Sequence, residues 1–413
     1  MTLQDVPILF ILAGLVAYVV LAGPDFGAAI WQVTARHDDD GEHLRDLAHD
    51  AMAPVWEANH VWLIFVLTVM WTSYPTAFGS IASTLCVALF IAGLGIVVRG
   101  AAYALRSGAR SLHEQARIDT ASAISSVLTP FALAAAIGGV ASGRVPVGNA
   151  HGDLLTSWLN PTSIVTGAIA VATAAYLAAV YLCADATGLG RAELAEAFRR
   201  RALGAGVLAG ALAAAGLVVI HHDAHRIYHG LTQGDGLPAL IVSALAGAGT
   251  LALVVRRRYE PARYSAALAV AAIVVGWALA QKPVLLPGLT IHQAAAPHDT
   301  LVAVTIAVIA GGLIVFPSLA LLFRLTLVGT LRHGYGDHET ASAPDAPPPA
   351  RALVAATTQG LLGRAALACL VAGFGFLTVL NPGWAHVVGV LALVGFVVLG
   401  FVAVLPRDLL GDT

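Results

Sequence analysis

The chain has 413 residues, of which 58% are hydrophobic and 11% are charged, and its formal net charge is -2. Because an average soluble domain has about 25% charged residues, this composition excludes a soluble globular protein. The near-zero net charge gives no indication of a nucleic-acid partner.

Apolar stretches of about 20 residues recur through the chain, and a helix needs this length to cross a bilayer. They lack the strict period of two that a membrane β-barrel requires. We therefore predict an all-α fold, a polytopic transmembrane helical bundle of about nine core helices followed by a two-helix C-terminal hairpin. The predicted helices are Pro7–Gln32, Pro54–Ser73, Thr76–Arg106, Asp119–Val140, Pro161–Asp185, Leu203–Ile220, Leu237–Val255, Ala262–Gln281, Thr300–Arg324, Leu353–Leu380 and Trp384–Leu405.

The first apolar stretch begins at Pro7 without a preceding basic region, and no small-residue cleavage pattern follows Gly27. These features predict a retained first helix rather than a signal peptide. Cys86, Cys183 and Cys369 each lie alone in an apolar stretch without CxxC spacing. We interpret them as buried apolar residues.

Basic residues are concentrated in alternate loops between the predicted helices. If the N-terminus is outside, the outward loops keep only Arg144, Arg226 and Lys282. Cytoplasmic loops of membrane proteins carry an excess of Lys and Arg, so this asymmetry predicts an external N-terminus and supports the helix count. The inward loops then contain Arg36, Arg45, Arg106, Arg110, Arg117, Arg191, Arg199, Arg200, Arg201, Arg256, Arg257, Arg258, Arg263, Arg332 and Arg351.

A segment rich in proline and glycine separates the last two predicted helices from the rest. We assign residues 1–332 to a transmembrane core, 333–352 to a cytoplasmic linker and 353–413 to the C-terminal hairpin. The linker composition is typical of a flexible connection. The turn Asn381–Pro382–Gly383 between the last two helices is too short for anything but an antiparallel hairpin.

Three titratable side chains near the inner ends of the first two helices need an explanation, because a charge within a membrane costs roughly 2.5 to 3.5 kcal/mol. Asp25 lies in LAGPDFGAAIW, and Glu57 and His60 lie in APVWEANHVWLIF. Glu57 and His60, three residues apart, share one helix face, with Trp56, Asn59 and Trp62 around them. A carboxylate beside an imidazole in a poorly solvated place suits a proton relay.

Structural explanations of the same acids stay open at this point. Glu57 can be an interfacial acid that the macrodipole favours at a helix N-terminus. Asp25 can be a buried acid that is hydrogen-bonded to a neighbouring helix. The residues alone do not decide between these explanations and a proton-carrying role.

Histidines suggest haem or metal binding, but the pattern supports neither strongly. Only His60 lies within a predicted helix at useful depth, and no facing histidine accompanies it, so the chain by itself has no evident haem site. A predicted outward loop contains His221, His222, Asp223, His225 and His229, which are ligand types for zinc or copper. Without cysteine this loop is weak evidence, and we assign no metal.

The sequence resembles subunit II of the cytochrome bd-type quinol oxidases. The resemblance rests on LAGPDFGAAIW, on MAPVWEANHVWLIFVLTVMWTSYPTAF, on NPTSIVTGAIAV and on QKPVLLPG, in consistent order between Met1 and about Arg332. The second of these motifs is the most specific. Many relatives have aspartate and glycine where this chain has Glu57 and Ala58, and a glycine-aromatic pair where it has Gly23 and Pro24.

The resemblance implies a bacterial inner-membrane protein that forms a pseudo-symmetric heterodimer with subunit I. Subunit I would carry haems b and d and the quinol-oxidising site, while this chain can hold a structural quinone and contributes a proton path. By motif, Glu57 and Asp25 take the places of the family's acids, and Trp56, Asn59 and Trp62 also match. Whether a small single-helix subunit attaches stays open.

Two rival functions belong to other classes. An ion-coupled transporter would use Asp25 and Glu57 as its coupling acids, although transporters usually contain inverted repeats and broken helices at the midplane. A structural assembly factor would not need these acids for turnover. The resemblance favours the oxidase subunit over both.

Overall fold

The computed structural model describes residues 2–35, 43–45, 47–48, 56–106, 112–327, 361–379 and 383–404. Nearly all of these residues are helical, which confirms the predicted all-α bundle. The chain divides into two compact units, Met1–Phe316 and Pro317–Thr413. The predicted linker at 333–352 lies outside the described residues, and so does the turn at 380–382.

The helices of the first unit follow one another with short connections. Eight helices in the described part of the chain are long and apolar enough to cross a membrane, and the apolar stretch Ala58–Ser73 is shorter. Together they account for the nine predicted core helices. The helices are α1 Val6–Val33, α2 Trp56–Ser73, α3 Pro75–Thr84, α4 Cys86–Arg106, α5 Leu112–Ala141, α6 Pro161–Gly188, α7 Ala192–Asp223, α8 His225–Thr232, α9 Leu237–Val255, α10 Tyr259–Gln281, α11 Ile291–Ala294 and α12 His298–Leu327.

The predicted single helix Thr76–Arg106 is wrong, because the chain forms α3 and α4 with a break at Leu85. Ser80 and Ser83 bond back to helix carbonyls, a contact that bends helices. Their hydroxyls also accept the backbone N–H groups of Gly148 and Ala150 from a distant loop. The two serines before the break therefore make long-range contacts, which the local hydropathy does not predict.

Helix α7 extends beyond the predicted helix Leu203–Ile220 at both ends. Helix α7 begins at Ala192, so the arginines at 199–201 belong to its early turns rather than to a loop. At the other end α7 continues to Asp223, and α8 begins at His225. The histidines at 221–229 therefore lie on helices, and their assignment to a loop is wrong.

Helix α6 lies at the centre of the first unit, and its residues from Ala172 to Ala186 are almost all buried. Helix α1 packs against it at close range. A Cβ atom added to Gly27 would lie 2.0 Å from the carbonyl oxygen of Ala174, so only glycine permits this approach. The indole N–H of Trp31 donates to the Ala175 carbonyl oxygen at 2.9 Å, which joins α1 to α6 one turn further along.

The motif QKPVLLPG forms a small β-hairpin that was not predicted. Strand β1, Val284–Leu286, pairs antiparallel with β2, Leu289–Thr290, just before α11. The segment that follows contacts the start of the chain, because His292 lies 3.2 Å from Asp5. This places the hairpin at the end of the bundle where α1 begins.

The second unit includes the last residues of α12, and its described part contains two further helices, α13 Leu361–Val379 and α14 Gly383–Val404. Phe376 contacts Trp384 edge to face, with ring centroids 6.2 Å apart. Farther from the turn, Gly373 packs against Leu393. The two helices therefore run antiparallel, as predicted for the hairpin.

Candidate functional site

Asp25 occupies a buried position in α1, where only 1% of its surface is exposed. Pro24 precedes it inside the helix and has no N–H, so the carbonyl of Val20 cannot receive its normal helical hydrogen bond. A proline in a helix interior weakens the backbone ladder locally. This weakened turn is the part of α1 that faces the polar residues of α2 and α4.

Asn59 of α2 connects to this turn of α1 through its side-chain amide. Its Nδ2 donates to the Asp25 carboxylate oxygen Oδ2 at 2.7 Å and to the Leu21 carbonyl oxygen at 3.0 Å. Both amide hydrogens are thus used, which holds the carboxylate in one orientation. The motif residues Asp25 and Asn59 are 34 positions apart in sequence and adjacent in the fold.

Arg99 of α4 is a buried charged residue that the sequence analysis missed. It is 7% exposed, and its Nη1 lies 3.4 Å from the Ser126 hydroxyl of α5. Its guanidinium lies over the Phe26 ring at 4.9 Å and interacts electrostatically with Asp25. The signal was available, because Arg99 is a charge inside an apolar stretch, as Asp25 is.

His60 is partly buried beside the same turn of α1. Its ring contacts Tyr18 edge to face at 6.0 Å and Phe26 at 5.9 Å between centroids. These ring contacts place the imidazole against aromatic side chains of α1. Phe26 contacts both His60 and Arg99, which brings the imidazole and the guanidinium to one aromatic ring.

Of the other predicted site residues, Glu57 and Trp56 have no described side chain, whereas Trp62 has one. Glu57 and Trp56 begin α2, two and three residues before Asn59, and their side chains lie outside the described residues. Trp62 packs against Phe65, with ring centroids 6.3 Å apart. The structure therefore brings together Asp25, Asn59 and His60, while Trp62 contributes to the apolar packing next to them.

The histidines at the end of α7 and in α8 lie close to one another. The ring centroids of His221 and His225 are 5.5 Å apart. Asp223 is engaged elsewhere, because it accepts hydrogen bonds from Arg144 at 2.6 Å and from the Thr162 hydroxyl at 2.6 Å. The bond to Asp223 raises the pKa of Arg144 above its ordinary value. No group of three or more ligating side chains is arranged for a metal among the described residues.

Comparison with known proteins agrees with the motifs. Residues 3–326 match the family model described as cytochrome bd terminal oxidase subunit II. The chain belongs to this family. A solved structure, the bd oxidase from Geobacillus thermodenitrificans, is similar at 25% sequence identity and a TM-score of 0.62, with 79% of this chain and 99% of that chain covered. No curated protein sequence matches.

Membership in the cytochrome bd subunit II family decides several of the predictions. The chain is an integral membrane component of a terminal oxidase, which is an oxidoreductase of respiratory electron transport. Neither comparison supports the rival transporter interpretation. The family match ends at residue 326, within α12, so α13 and α14 lie beyond it.

Proposed function

We propose that this chain is the haem-free subunit of a bd-type quinol:oxygen oxidoreductase in the bacterial inner membrane. In this proposal it supports subunit I, which carries haems b and d and oxidises the quinol, and it supplies that subunit with protons. The observation that carries the proposal is that the Asp25 carboxylate is buried and accepts a hydrogen bond from Asn59, next to the Phe26 ring that the Arg99 guanidinium covers. The structural quinone and a small single-helix subunit remain predictions of the family resemblance.

Proton supply to the partner subunit would explain why Asp25 and Glu57 lie in an apolar bundle. The partner's haems reduce oxygen, a reaction that consumes protons, and hydrocarbon offers protons no hydrogen-bonded route. In the proposed path Glu57, in the first turn of α2, takes up a proton from the inner side. Asp25, which lies deeper, receives it and alternates between its protonated and ionised forms.

Each neighbour of Asp25 has a proposed part in this path. Asn59 positions the carboxylate by donating to Oδ2, and it does not itself titrate. The positive charge of Arg99 stabilises the ionised carboxylate, which would otherwise be costly in a buried place. His60 orients the start of α2 through its ring contacts with Tyr18 and Phe26.

Substitution of Asp25 tests the proposal. Asp25→Asn preserves size and polarity but cannot carry a proton, so we expect oxygen consumption to fall about tenfold or more. Asp25→Glu keeps a titratable group and should retain appreciable activity. Asp299→Asn, at the opposite end of the bundle and fully exposed, is the matched control and should not change turnover.

The measurement is quinol-dependent oxygen consumption by purified complex whose haem content and subunit ratio equal those of wild type. Equal turnover of wild type and an assembled Asp25→Asn complex would contradict the proton path. It would favour the structural alternative, in which the acid only joins two helices.

A further inference from the structure

Three arginine side chains converge on one carboxylate at the end of the bundle where α7 begins. Glu196 Oε1 lies 2.8 Å from Arg199 Nη1 and 4.0 Å from Arg200 Nε, and its Oε2 lies 3.2 Å from Arg257 Nη2. A single carboxylate cannot neutralise three guanidinium groups. The site, which we call the Glu196 cluster, therefore keeps an excess of positive charge.

The side chains around the Glu196 cluster extend this excess. Arg256 and Arg258 are exposed and form no ion pair among the described residues. Among the described residues of α7, of the turn between α9 and α10 and of their neighbouring helix ends, arginines outnumber acids two to one. The arginines are Arg191, Arg199, Arg200, Arg201, Arg256, Arg257, Arg258 and Arg263, and the acids are Asp185, Glu193, Glu196 and Glu260.

The backbone of Arg257 is unusual, because its φ of 58° lies in the left-handed region. It follows the end of α9, where Arg257 N–H bonds to the Val254 carbonyl and Arg258 N–H bonds to the Leu253 carbonyl. This pair of bonds defines a Schellman motif, in which the left-handed position is usually glycine. Arginine at this position costs conformational energy that glycine would not.

Two other helix ends of this chain show what the same motif normally contains. Helices α5 and α6 end with the same pair of hydrogen bonds, and their left-handed residues are Gly143 and Gly190. Gly190 lies in the turn before α7, which also leads to the Glu196 cluster. Only the turn after α9 combines this motif with a charged residue among the described helix ends. A strained residue of this kind indicates a function for its side chain.

We propose that the Glu196 cluster binds the headgroup of an anionic phospholipid in the adjacent leaflet, and that Arg257 is kept in its strained conformation for this contact. Arg200 and Arg257 are 80% and 69% exposed, so both guanidinium groups can reach a phosphate from the surface. Arginine binds phosphate oxygens through paired N–H donors, which suits a lipid phosphodiester.

The surroundings favour a lipid over a soluble partner. Val255, which ends α9, is exposed, and Tyr264 in the second turn of α10 is 72% exposed. Both helices are long and apolar enough to cross the membrane. Tyrosine is enriched at membrane interfaces, where its ring lies at the headgroup level. The cluster therefore has cationic groups at one level and apolar side chains directly below, as a phospholipid has phosphate above acyl chains.

Lipid titration of the purified complex tests this proposal. Phosphatidylglycerol with a fluorescent acyl chain is titrated into the complex in neutral detergent, and anisotropy reports binding, with unlabelled phosphatidylglycerol and phosphatidylcholine as competitors. We expect phosphatidylglycerol to compete better than phosphatidylcholine with wild type. Arg257→Gly should weaken binding about fivefold, and Arg200→Gln combined with Arg257→Gly should weaken it further.

Two controls separate lipid binding from folding and from overall charge. Arg226→Gln removes one exposed arginine from α8, at the other end of α7, and should bind phosphatidylglycerol as wild type does. Arg257→Gly places glycine where the backbone favours it, so its Tm should equal or exceed that of wild type.

Unchanged binding by the double variant would overturn the proposal and leave these arginines as topology signals alone. Loss of the partner subunit from the double variant, with the lipid still bound, would also overturn it and assign the arginines to a protein interface.

Discussion

Asp25 and Arg99 show how two charges can persist within an apolar bundle. Each would be costly to bury without polar partners. The carboxylate has the Asn59 amide, and the guanidinium has the Ser126 hydroxyl and the Phe26 ring. These contacts join α1 to α2, α4 to α5 and α4 to α1, so they also constrain how the helices pack.

Glu57 provides the sharpest test of a titratable group at the start of the proposed path. Glu57→Gln preserves shape and polarity but cannot release a proton, so oxygen consumption should fall about tenfold or more. Glu57→Asp should retain appreciable activity, because it keeps a titratable carboxyl group. His60→Ala should have a smaller effect, because its proposed role is to orient rather than to carry.

These Glu57 and His60 variants are compared as purified complexes with matched haem content. If Glu57→Gln assembles normally and turns over at the wild-type rate, the residue is only a helix-end charge, and the path must begin elsewhere.

The close contact of α1 with α6 depends on Gly27. Glycine in a helix interior is usually destabilising by about 0.5 to 1 kcal/mol relative to alanine. At Gly27 the sign should reverse, because a methyl group would overlap the Ala174 carbonyl. We expect Gly27→Ala to lower the free energy of unfolding by about 1 to 3 kcal/mol, the usual effect of overpacking.

Thermal unfolding of the solubilised complex measures this effect. The matched control is Gly204→Ala in α7, where an added Cβ would meet no atom within 4 Å. Its Tm should not decrease. A Gly27→Ala variant as stable as this control would show that α1 and α6 can separate without penalty.

Topology is predicted from the distribution of arginine over many loops. The N-terminus should face outside and residues 333–351 the cytoplasm, because basic loops are retained on the inner side. Fusions of reporters that are active on only one side of the membrane, placed at these two positions, test the prediction. An external linker would mean that the number of helices before it is wrong.

The tail should be dispensable for the core. The family match ends at residue 326, and α13 and α14 lie in the second compact unit, Pro317–Thr413. Truncation after about Gly336 should therefore leave a complex that assembles and consumes oxygen, as measured by subunit ratio, haem spectrum and oxygen uptake. Complete loss of subunit I from the truncated preparation would show instead that the tail belongs to the main interface.

The sequence by itself determined the class of fold and the positions of the long apolar helices, and it singled out Asp25 and Asn59 as polar residues of the first two helices. Hydropathy is a local property, so a stretch such as Leu237–Val255 can be recognised as a membrane-spanning helix without knowledge of its neighbours in the fold. The motif around Asn59 was specific enough to indicate the family. Of the two predicted acids, only Asp25 has a described side-chain environment, and the role of Glu57 stays a prediction.

Only the tertiary structure decided which groups meet. Arg99 lies over Phe26, the neighbour of Asp25, because α4 presents it to α1, and that depends on how each helix is rotated about its axis. The serines before the break at Leu85 bond to a loop 67 and 68 residues away, and the approach of Arg257 to Glu196 depends on the packing of α7 against α9. These contacts are long-range, and periodicity within one segment contains no information about them.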